Sequence, residues 1–174
     1  MRFMVDRRYH CVVAVCYVLH CSLLAGASYW PPRYNAFVAQ FLYGQNRARY
    51  SVGVPPLVWD NRLAAYAQWW ANQKQASGNC YLQHSGGPYG ENIFWGRGKP
   101  WSPSEAVDAW VDERRWYDYY SNSCLFNDDC GHYTQIVWRS STRVGCARVT
   151  CADGDVFMIC NYDPPGNYIG QRPY

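Results

Sequence analysis

Apolar residues recur at helical spacing where the main body of the chain begins. In residues 34–49 they share one face, and the chain then meets Gly53 and the Pro55–Pro56 pair, which predicts an amphipathic helix that ends there. Asp60 is a suitable N-cap for a second helix, which would close at residues 77–79. The apolar faces consist of Phe37, Phe41 and Leu42 in the first helix and Leu63, Ala67, Trp70 and Ala71 in the second.

A third helix has a well-defined start. Residues 102–105 read Ser-Pro-Ser-Glu, a capping box with proline at the first helical position, and the apolar stripe that follows predicts a helix to about Tyr119. Glu113 falls on or beside that stripe, and a buried carboxylate there would need a partner. The stripe consists of Ala106, Val107, Trp110, Val111 and Tyr117.

Strand patterns occupy the second half of the chain. Residues 92–95 form a short strand-like run within a glycine-rich stretch, and residues 144–149 and 156–161 flank a turn. That hairpin would bring Cys146 opposite Cys160. Helices on either side of short strands predict the α+β class, with a small antiparallel sheet.

Residues 130–139 concentrate polar and aromatic side chains just after a cysteine. His132 and Gln135 would share one face of a short helix, while Ile136 and Val137 turn toward a core. The segment is therefore predicted to hold His132 in a fixed position.

The first 27 residues differ in composition from the rest. Three arginines precede a mostly apolar run at 11–24, and a small-residue cleavage site ends at Ala27. Residues 1–27 are therefore predicted to be a signal peptide and residues 28–33 a proline-containing lead-in. An uncleaved N-terminal anchor is the alternative.

Removing residues 1–27 changes the charge and the cysteine count. These residues carry three arginines and one aspartate, so the net charge of +3 falls to about +1, which does not support binding to nucleic acid or anionic membranes by bulk charge. Six of the nine cysteines remain, which predicts three disulfides in an oxidising compartment and leaves 15 connectivities open. A cysteine zinc site is not expected, because no C-x2-C pair is present.

Rare polar residue types point to one candidate site. Residues 28–174 contain two histidines, His84 and His132, and three glutamates, of which Glu105 is explained by the capping box. If Glu91 and Glu113 converge with the histidines, the cluster could hold a divalent metal or perform acid–base chemistry. The alternative is a buried polar network that ties loops to helices. An enzyme is not expected, because no catalytic motif accompanies these residues.

Aromatic residues make up 18% of the chain, and several between positions 95 and 120 could line a groove for an apolar ligand. The alternative is that half of them belong to the core. They are Trp95, Trp101, Trp116, Tyr117, Tyr119 and Tyr120.

Four motifs in order resemble the CAP superfamily, which covers cysteine-rich secretory proteins, antigen 5 and plant pathogenesis-related class 1 proteins. Residues 131–141 (GHYTQIVWRSS) and 157–168 (FMICNYDPPGNY) resemble its two signatures, and residues 84–92 and 110–113 match two further motifs. The resemblance covers residues 34–174, and the Pro-Tyr ending points to the plant class 1 branch.

This resemblance implies an α-β-α sandwich with the small antiparallel sheet between helices, and a domain spanning residues 34–174. It also implies that His84, Glu91, Glu113 and His132 form a cleft tetrad, whose two histidines bind zinc in some relatives. The implied disulfides are Cys80–Cys151, Cys124–Cys130 and Cys146–Cys160. The chain departs from the family at residues 45–46, which are Gln-Asn where His-Asn is usual, so that local packing is expected to differ there.

Family members are associated with defence against fungi and oomycetes, with sterol binding through an aromatic loop, and with release of a C-terminal peptide. For this chain the resemblance implies a monomer in the apoplast that binds a sterol or other lipid and also meets microbial surfaces or effectors. No cofactor is required, although zinc could bind at His84 and His132. Two alternatives stay open, a metal-dependent hydrolase that uses the tetrad and a precursor cleaved between Asp163 and Pro164 to release residues 164–174. The candidate lipid-binding residues are Trp95, Trp101, Trp116 and Tyr117.

Overall fold

The computed structural model describes residues 35–78 and 80–174. The predicted signal peptide 1–27 and lead-in 28–33 lie outside the described residues. Tyr34, the predicted start of the first helix, and Asn79, in the predicted close of the second, also lie outside the described residues. The domain boundary at residue 34 stays a prediction.

The described residues form helices and strands in alternation, and each long helix has a side-chain cap. Asn35 Oδ1 accepts a hydrogen bond from the Val38 amide, and the predicted caps at Asp60 and Ser102 are both present. Helices α1 and α2 therefore begin close to where the sequence placed them. The helices are α1 Ala36–Ser51, α2 Asn61–Ala76, α3 Pro103–Asp112 and α4 Gly131–Ile136.

A four-stranded sheet lies between the helices in the order β1-β5-β6-β2. Strands β2, β6 and β5 pair antiparallel, while the two-residue β1, which the sequence pattern did not indicate, adds a parallel edge. Strands β3 and β4, of two residues each, pair antiparallel in a separate hairpin. The strands are β1 Val58–Trp59, β2 Gly90–Gly96, β3 Tyr117–Asp118, β4 Ser123–Cys124, β5 Arg143–Thr150 and β6 Val156–Asp163.

The two faces of the sheet bury separate apolar clusters, so the α+β class and the α-β-α sandwich are confirmed. On one face, Met158 and Tyr162 pack with residues of α1, α3 and α4. On the other, Phe157 and Ile159 pack with alanines of α2. Helix α2 approaches the sheet so closely that a Cβ atom on Gly145 would lie 2.1 Å from the Ala64 nitrogen.

The third helix is shorter than predicted. Helix α3 ends at Asp112, residues Glu113–Trp116 form a turn of 3-10 helix, and the chain is extended at Tyr117. The expectation of a helix to Tyr119 is therefore wrong. The apolar spacing in the sequence continues past Asp112. In the structure the Glu113 carboxylate accepts a hydrogen bond from the His132 amide of α4, and the α-helix ends just before Glu113.

Three disulfides staple the described residues, in the pairing that the family resemblance implied. Cys80–Cys151 and Cys146–Cys160 are buried, whereas Cys124–Cys130 closes the segment before α4. None of the helices in residues 35–78 and 80–174 is long and apolar enough to cross a membrane.

Candidate functional site

The two histidines each face one glutamate. His84 Nδ1 lies 2.6 Å from Glu91 Oε1, and His132 Nδ1 lies 2.6 Å from Glu113 Oε1. Both imidazoles thus use the same ring nitrogen toward a carboxylate, which leaves Nε2 as the atom available to another group. The predicted tetrad is arranged as two matched pairs.

The first pair is anchored on strand β2 by Glu91. Ser85 donates to this carboxylate from its amide at 2.9 Å and from its hydroxyl at 2.6 Å, and Asn161 Nδ2 donates to it at 3.1 Å. The carboxylate is buried, whereas the His84 side chain is 62% exposed. Glu91 is therefore fixed in position, and His84 is the member of the pair that solvent or a ligand can reach.

The two members of this pair shift each other's ionisation. The hydrogen bond with Glu91 raises the pKa of His84 above its ordinary value of 6.5, against the effect of desolvation. Desolvation is the largest influence on Glu91 and raises its pKa. The hydrogen bonds from His84 and Ser85 and the charge of His84 together outweigh it, so the pKa lies below 4.5. The pair therefore favours the ionised form of both groups.

In the second pair, Glu113 also caps helix α4. Its Oε2 accepts from the amides of His132 at 2.9 Å and Tyr133 at 3.2 Å, at a helix start where Cys130 offers no side-chain cap. The Trp110 ring stacks on the His132 imidazole with centroids 6.0 Å apart. One carboxylate thus satisfies two orphan backbone donors and orients the histidine beside them.

Asn92 and Tyr162 connect the two pairs through the sheet. Asn92 follows Glu91 in β2, and its Nδ2 donates to the His132 carbonyl at 3.0 Å and to the Tyr162 hydroxyl at 3.1 Å. The sequence offered no signal for this connection, because a lone Asn and a lone Tyr in strands are common. In the described part of the chain, no group of three or more His, Cys, Asp or Glu side chains could hold a metal ion. Convergence of all four residues on one ligand stays a prediction.

An exposed aromatic hairpin, defined as residues 116–126, lies between α3 and α4. Phe126 is 81% exposed and Tyr120 is 89% exposed, and the Trp116 ring meets the Phe126 ring edge-on at 6.1 Å. Asp118 fixes the turn by accepting from the amides of residues 120 and 121, and the Cys124–Cys130 disulfide holds the far end. Large aromatic side chains are thus presented to solvent on a stapled loop.

Comparison with known proteins identifies the relatives of this arrangement. The family model of the cysteine-rich secretory protein family, CAP, matches residues 42–162. The chain belongs to this family. Pathogenesis-related protein PR-1 of Medicago truncatula is 58% identical over 85% of this chain and 87% of its own length. Pathogenesis-related protein 1 of Arabidopsis thaliana is 50% identical over 87% of this chain and 91% of its own length.

Solved structures of the CAP fold support the same assignment. Na-ASP-1 superposes with a TM-score of 0.67 at 26% identity over 80% of this chain, which spans 41% of the Na-ASP-1 chain. MpPR-1i superposes with a TM-score of 0.55 at 27% identity over 79% of this chain and 95% of its own. Sequence identity to the two plant pathogenesis-related proteins is higher than to these two structures, so the plant proteins are more informative about function.

Within this CAP domain the four predicted lipid-binding residues lie in three different places. Trp95 faces the α2 side of the sheet, with its indole N–H bonded to Asp155 at 3.0 Å. Trp101 packs edge-on against Phe94 beside the start of α3. Only Trp116 and Tyr117 belong to the aromatic hairpin, together with Phe126, which the sequence reasoning missed because nothing local distinguishes an exposed Phe from a buried one. A lipid-binding role for these residues stays a prediction.

The predicted peptide-release bond lies at the end of strand β6. Asp163 forms an ion pair with Arg143, and its carbonyl accepts from the Thr142 amide at 3.1 Å. The Pro164 carbonyl accepts from the Ser141 hydroxyl at 2.7 Å. The bond therefore lies in hydrogen-bonded structure, and its cleavage stays a prediction.

Proposed function

We propose that this protein is a secreted plant defence protein that acts by binding sterols or related lipids of microbial membranes. The observation that carries the proposal is the aromatic hairpin, which exposes Phe126 and Tyr120 almost fully. The defence role is supported by the relatives, which are named pathogenesis-related proteins. Three disulfides are consistent with an extracellular location.

The hairpin has the chemistry of a membrane-facing surface. Aromatic side chains favour the boundary between water and lipid, where one part of the ring system can be buried and polar atoms stay hydrated. Phe126 adopts a left-handed backbone conformation with φ of 59°, which is costly for a bulky residue. The Arg115 guanidinium lies 5.7 Å from the centre of the Trp116 ring. A cation there would remain in the headgroup layer while the rings contact a flat sterol.

A sterol-binding assay tests the proposal. Radiolabelled sterol is titrated into the secreted protein and into Phe126→Ala and Trp116→Ala variants, with Tyr50→Ala as the matched control, because Tyr50 is 88% exposed on α1 outside the hairpin. We expect saturable binding that the two hairpin variants weaken and the control retains. Absence of saturable binding by the unaltered protein would overturn the proposal.

A second candidate function is metal-dependent hydrolysis, favoured by the two His–Glu pairs. Metal-ligating histidines commonly direct their other ring nitrogen at a carboxylate, as His84 and His132 do here. NaASP2, which shares this fold with a TM-score of 0.66 at 24% identity, has a crystal structure with Zn2+. In this candidate His84 and His132 would hold zinc through Nε2, and the zinc would supply Lewis-acid chemistry.

Metal content separates this candidate from lipid binding. The dialysed protein is exposed to zinc, and its zinc content is compared with those of His84→Ala and His132→Ala variants, alongside a peptidase assay. Stoichiometric zinc and activity that both variants lose would favour a hydrolase. Zinc uptake without activity would leave only a metal site.

A third candidate is a precursor that releases residues 164–174 as a signalling peptide. It rests on the family resemblance at Asp163 and Pro164. Mass spectrometry of extracellular fluid tests it, and a fragment that begins at Pro164 is the expected product. Its consistent absence would exclude this role.

A further inference from the structure

The C-terminal residues pack against the aromatic hairpin. We call residues 171–174 the C-terminal clasp. The Tyr174 ring stacks on Tyr119 with centroids 5.0 Å apart and planes 19° apart, and it meets the Tyr117 ring edge-on at 6.2 Å. Tyr174, more than fifty residues away in sequence, therefore packs directly against two aromatic rings of the hairpin.

Polar contacts join the same two segments. Arg172 donates from Nε to the Tyr119 carbonyl at 3.2 Å and from Nη2 to the Tyr120 carbonyl at 2.9 Å. Asn122 Nδ2 donates to the Gln171 carbonyl at 3.0 Å. The Arg172 guanidinium also lies 5.6 Å from the centre of the Tyr119 ring. The planar fork of one arginine thus fixes two consecutive carbonyls of the turn.

Within the hairpin, Asp118 fixes the turn and the Cys124–Cys130 disulfide holds one end, but the paired strands are short. Strands β3 and β4 are two residues each, and a short two-stranded hairpin is marginally stable on its own. The clasp, in contrast, is tied to the body of the protein, because the Pro173 carbonyl accepts from the Arg139 amide at 2.7 Å. The hairpin and the C-terminal segment also form walls of a cleft of about 280 Å³. The clasp therefore adds a tertiary support, through the Tyr119 and Tyr120 carbonyls, to a turn that Asp118 holds locally.

We propose that the C-terminal clasp is part of the lipid site, with Tyr174 and Arg172 as positioning residues for the turn that carries Tyr119 and Tyr120. The inference rests on the proposed lipid-binding function and assigns it a second structural element. Because coupling between two events is reciprocal, a docked clasp strengthens lipid binding and bound lipid strengthens clasp docking by the same factor. A purely structural clasp would show no such response to lipid.

Binding measurements with matched variants test the first half of the coupling. Tyr174→Ala removes the stacked ring, Tyr174→Phe retains it, and Tyr81→Ala is the control, since Tyr81 is 64% exposed and lies outside the hairpin, the clasp and the cleft between them. We expect Tyr174→Ala to weaken the binding of sterol-containing vesicles by about three- to tenfold, the equivalent of one aromatic pair. Tyr174→Phe and Tyr81→Ala should bind like the unaltered protein.

Hydrogen exchange of the unaltered protein tests the second half and needs no variant. Sterol-containing vesicles should slow amide exchange in residues 119–122 and in the clasp together, compared with vesicles that lack sterol. Equal binding by Tyr174→Ala and the unaltered protein, or exchange in the clasp that ignores bound sterol, would overturn the inference alone. An unaltered protein that binds no sterol would overturn the proposed function and the inference with it.

Discussion

The Tyr162 hydroxyl donates a 2.8 Å hydrogen bond to Gln45 Oε1, although both side chains are completely buried. The same hydroxyl accepts from Asn92, which also bonds to the His132 carbonyl. Gln45 stands at the position where the family resemblance implies a histidine. Its amide therefore supplies the acceptor that Tyr162 needs, and a chain of hydrogen bonds runs from α1 to the helix that carries His132.

Replacing Gln45 by Ala should destabilise the protein by about 1–3 kcal/mol, because the buried Tyr162 hydroxyl loses its acceptor. Urea denaturation measures the change, and Gln68→Ala on the exposed side of α2 is the control. In a Tyr162→Phe background the penalty of Gln45→Ala should shrink, since no hydroxyl is left unpaired. Additive effects of the two substitutions would contradict the direct coupling.

The disulfides should differ in what they stabilise. Cys80–Cys151 closes a loop with a separation of 71 residues and Cys124–Cys130 one of 6, so chain entropy predicts losses of about 4 and about 2 kcal/mol on their removal. Double Cys→Ala variants compared by denaturation test this order. Removal of Cys124–Cys130 should weaken sterol binding more than removal of Cys80–Cys151, because Cys124–Cys130 anchors the aromatic hairpin. The reverse pattern in binding would argue against the hairpin as the lipid site.

The stability contributed by His84 and Glu91 should depend on pH in both directions. The raised pKa of His84 stabilises the fold below about pH 6.5, and this contribution is lost as the pH rises through the raised value. The lowered pKa of Glu91 stabilises the fold above about pH 4.5, and this contribution is lost as the pH falls through the lowered value. Denaturation midpoints of the unaltered protein and Glu91→Gln should therefore differ most between these two pH values. A constant difference across the range would exclude this account.

A substitution at Phe126 can separate effects on sterol binding from effects on the free energy of unfolding. Glycine tolerates the positive φ of this position and removes an exposed ring. We expect Phe126→Gly to change the free energy of unfolding by less than about 1 kcal/mol, while sterol binding falls markedly. Parallel thermal unfolding and binding curves provide the measurement. A variant that binds sterol normally would remove Phe126 from the site.

The bond after Asp163 should be protected by the folded state. Arg143 pairs with the Asp163 side chain at the end of the β5–β6 ladder, so a protease must first open that end of the sheet. Arg143→Ala should speed the appearance of the fragment that begins at Pro164 in extracellular fluid. Arg47→Ala on α1 is the control. Equal rates for all three proteins would show that the ion pair does not limit cleavage.

Local sequence patterns predicted the elements whose side chains repeat regularly. Helices α1 and α2 follow their apolar spacing, and the capping box at Ser102 marks the start of α3. The predicted end of α3 was wrong. The apolar stripe continues to Tyr117, but the Glu113 carboxylate accepts hydrogen bonds from the amides of α4. Strand β1 was missed because two residues carry no detectable period.

The candidate site was predictable only as a list of residues. Counting the rare histidines and glutamates selected His84, Glu91, Glu113 and His132, and the family resemblance supported the same four. Which histidine meets which glutamate depends on contacts across the fold, and so do the roles of Asn92 and Tyr162. Ordinary residue types such as these give no signal until their neighbours are known.

The sequence by itself determined the fold class, the family and the residues able to carry chemistry, because periodicity, caps and motifs are local properties of the chain. Tertiary structure decided which side chains meet. It divided the tetrad into two pairs, separated Trp95 and Trp101 from the aromatic hairpin, and placed Tyr174 against Tyr119. Those relationships arise from packing between distant segments, where the burial of one side chain depends on all the others around it.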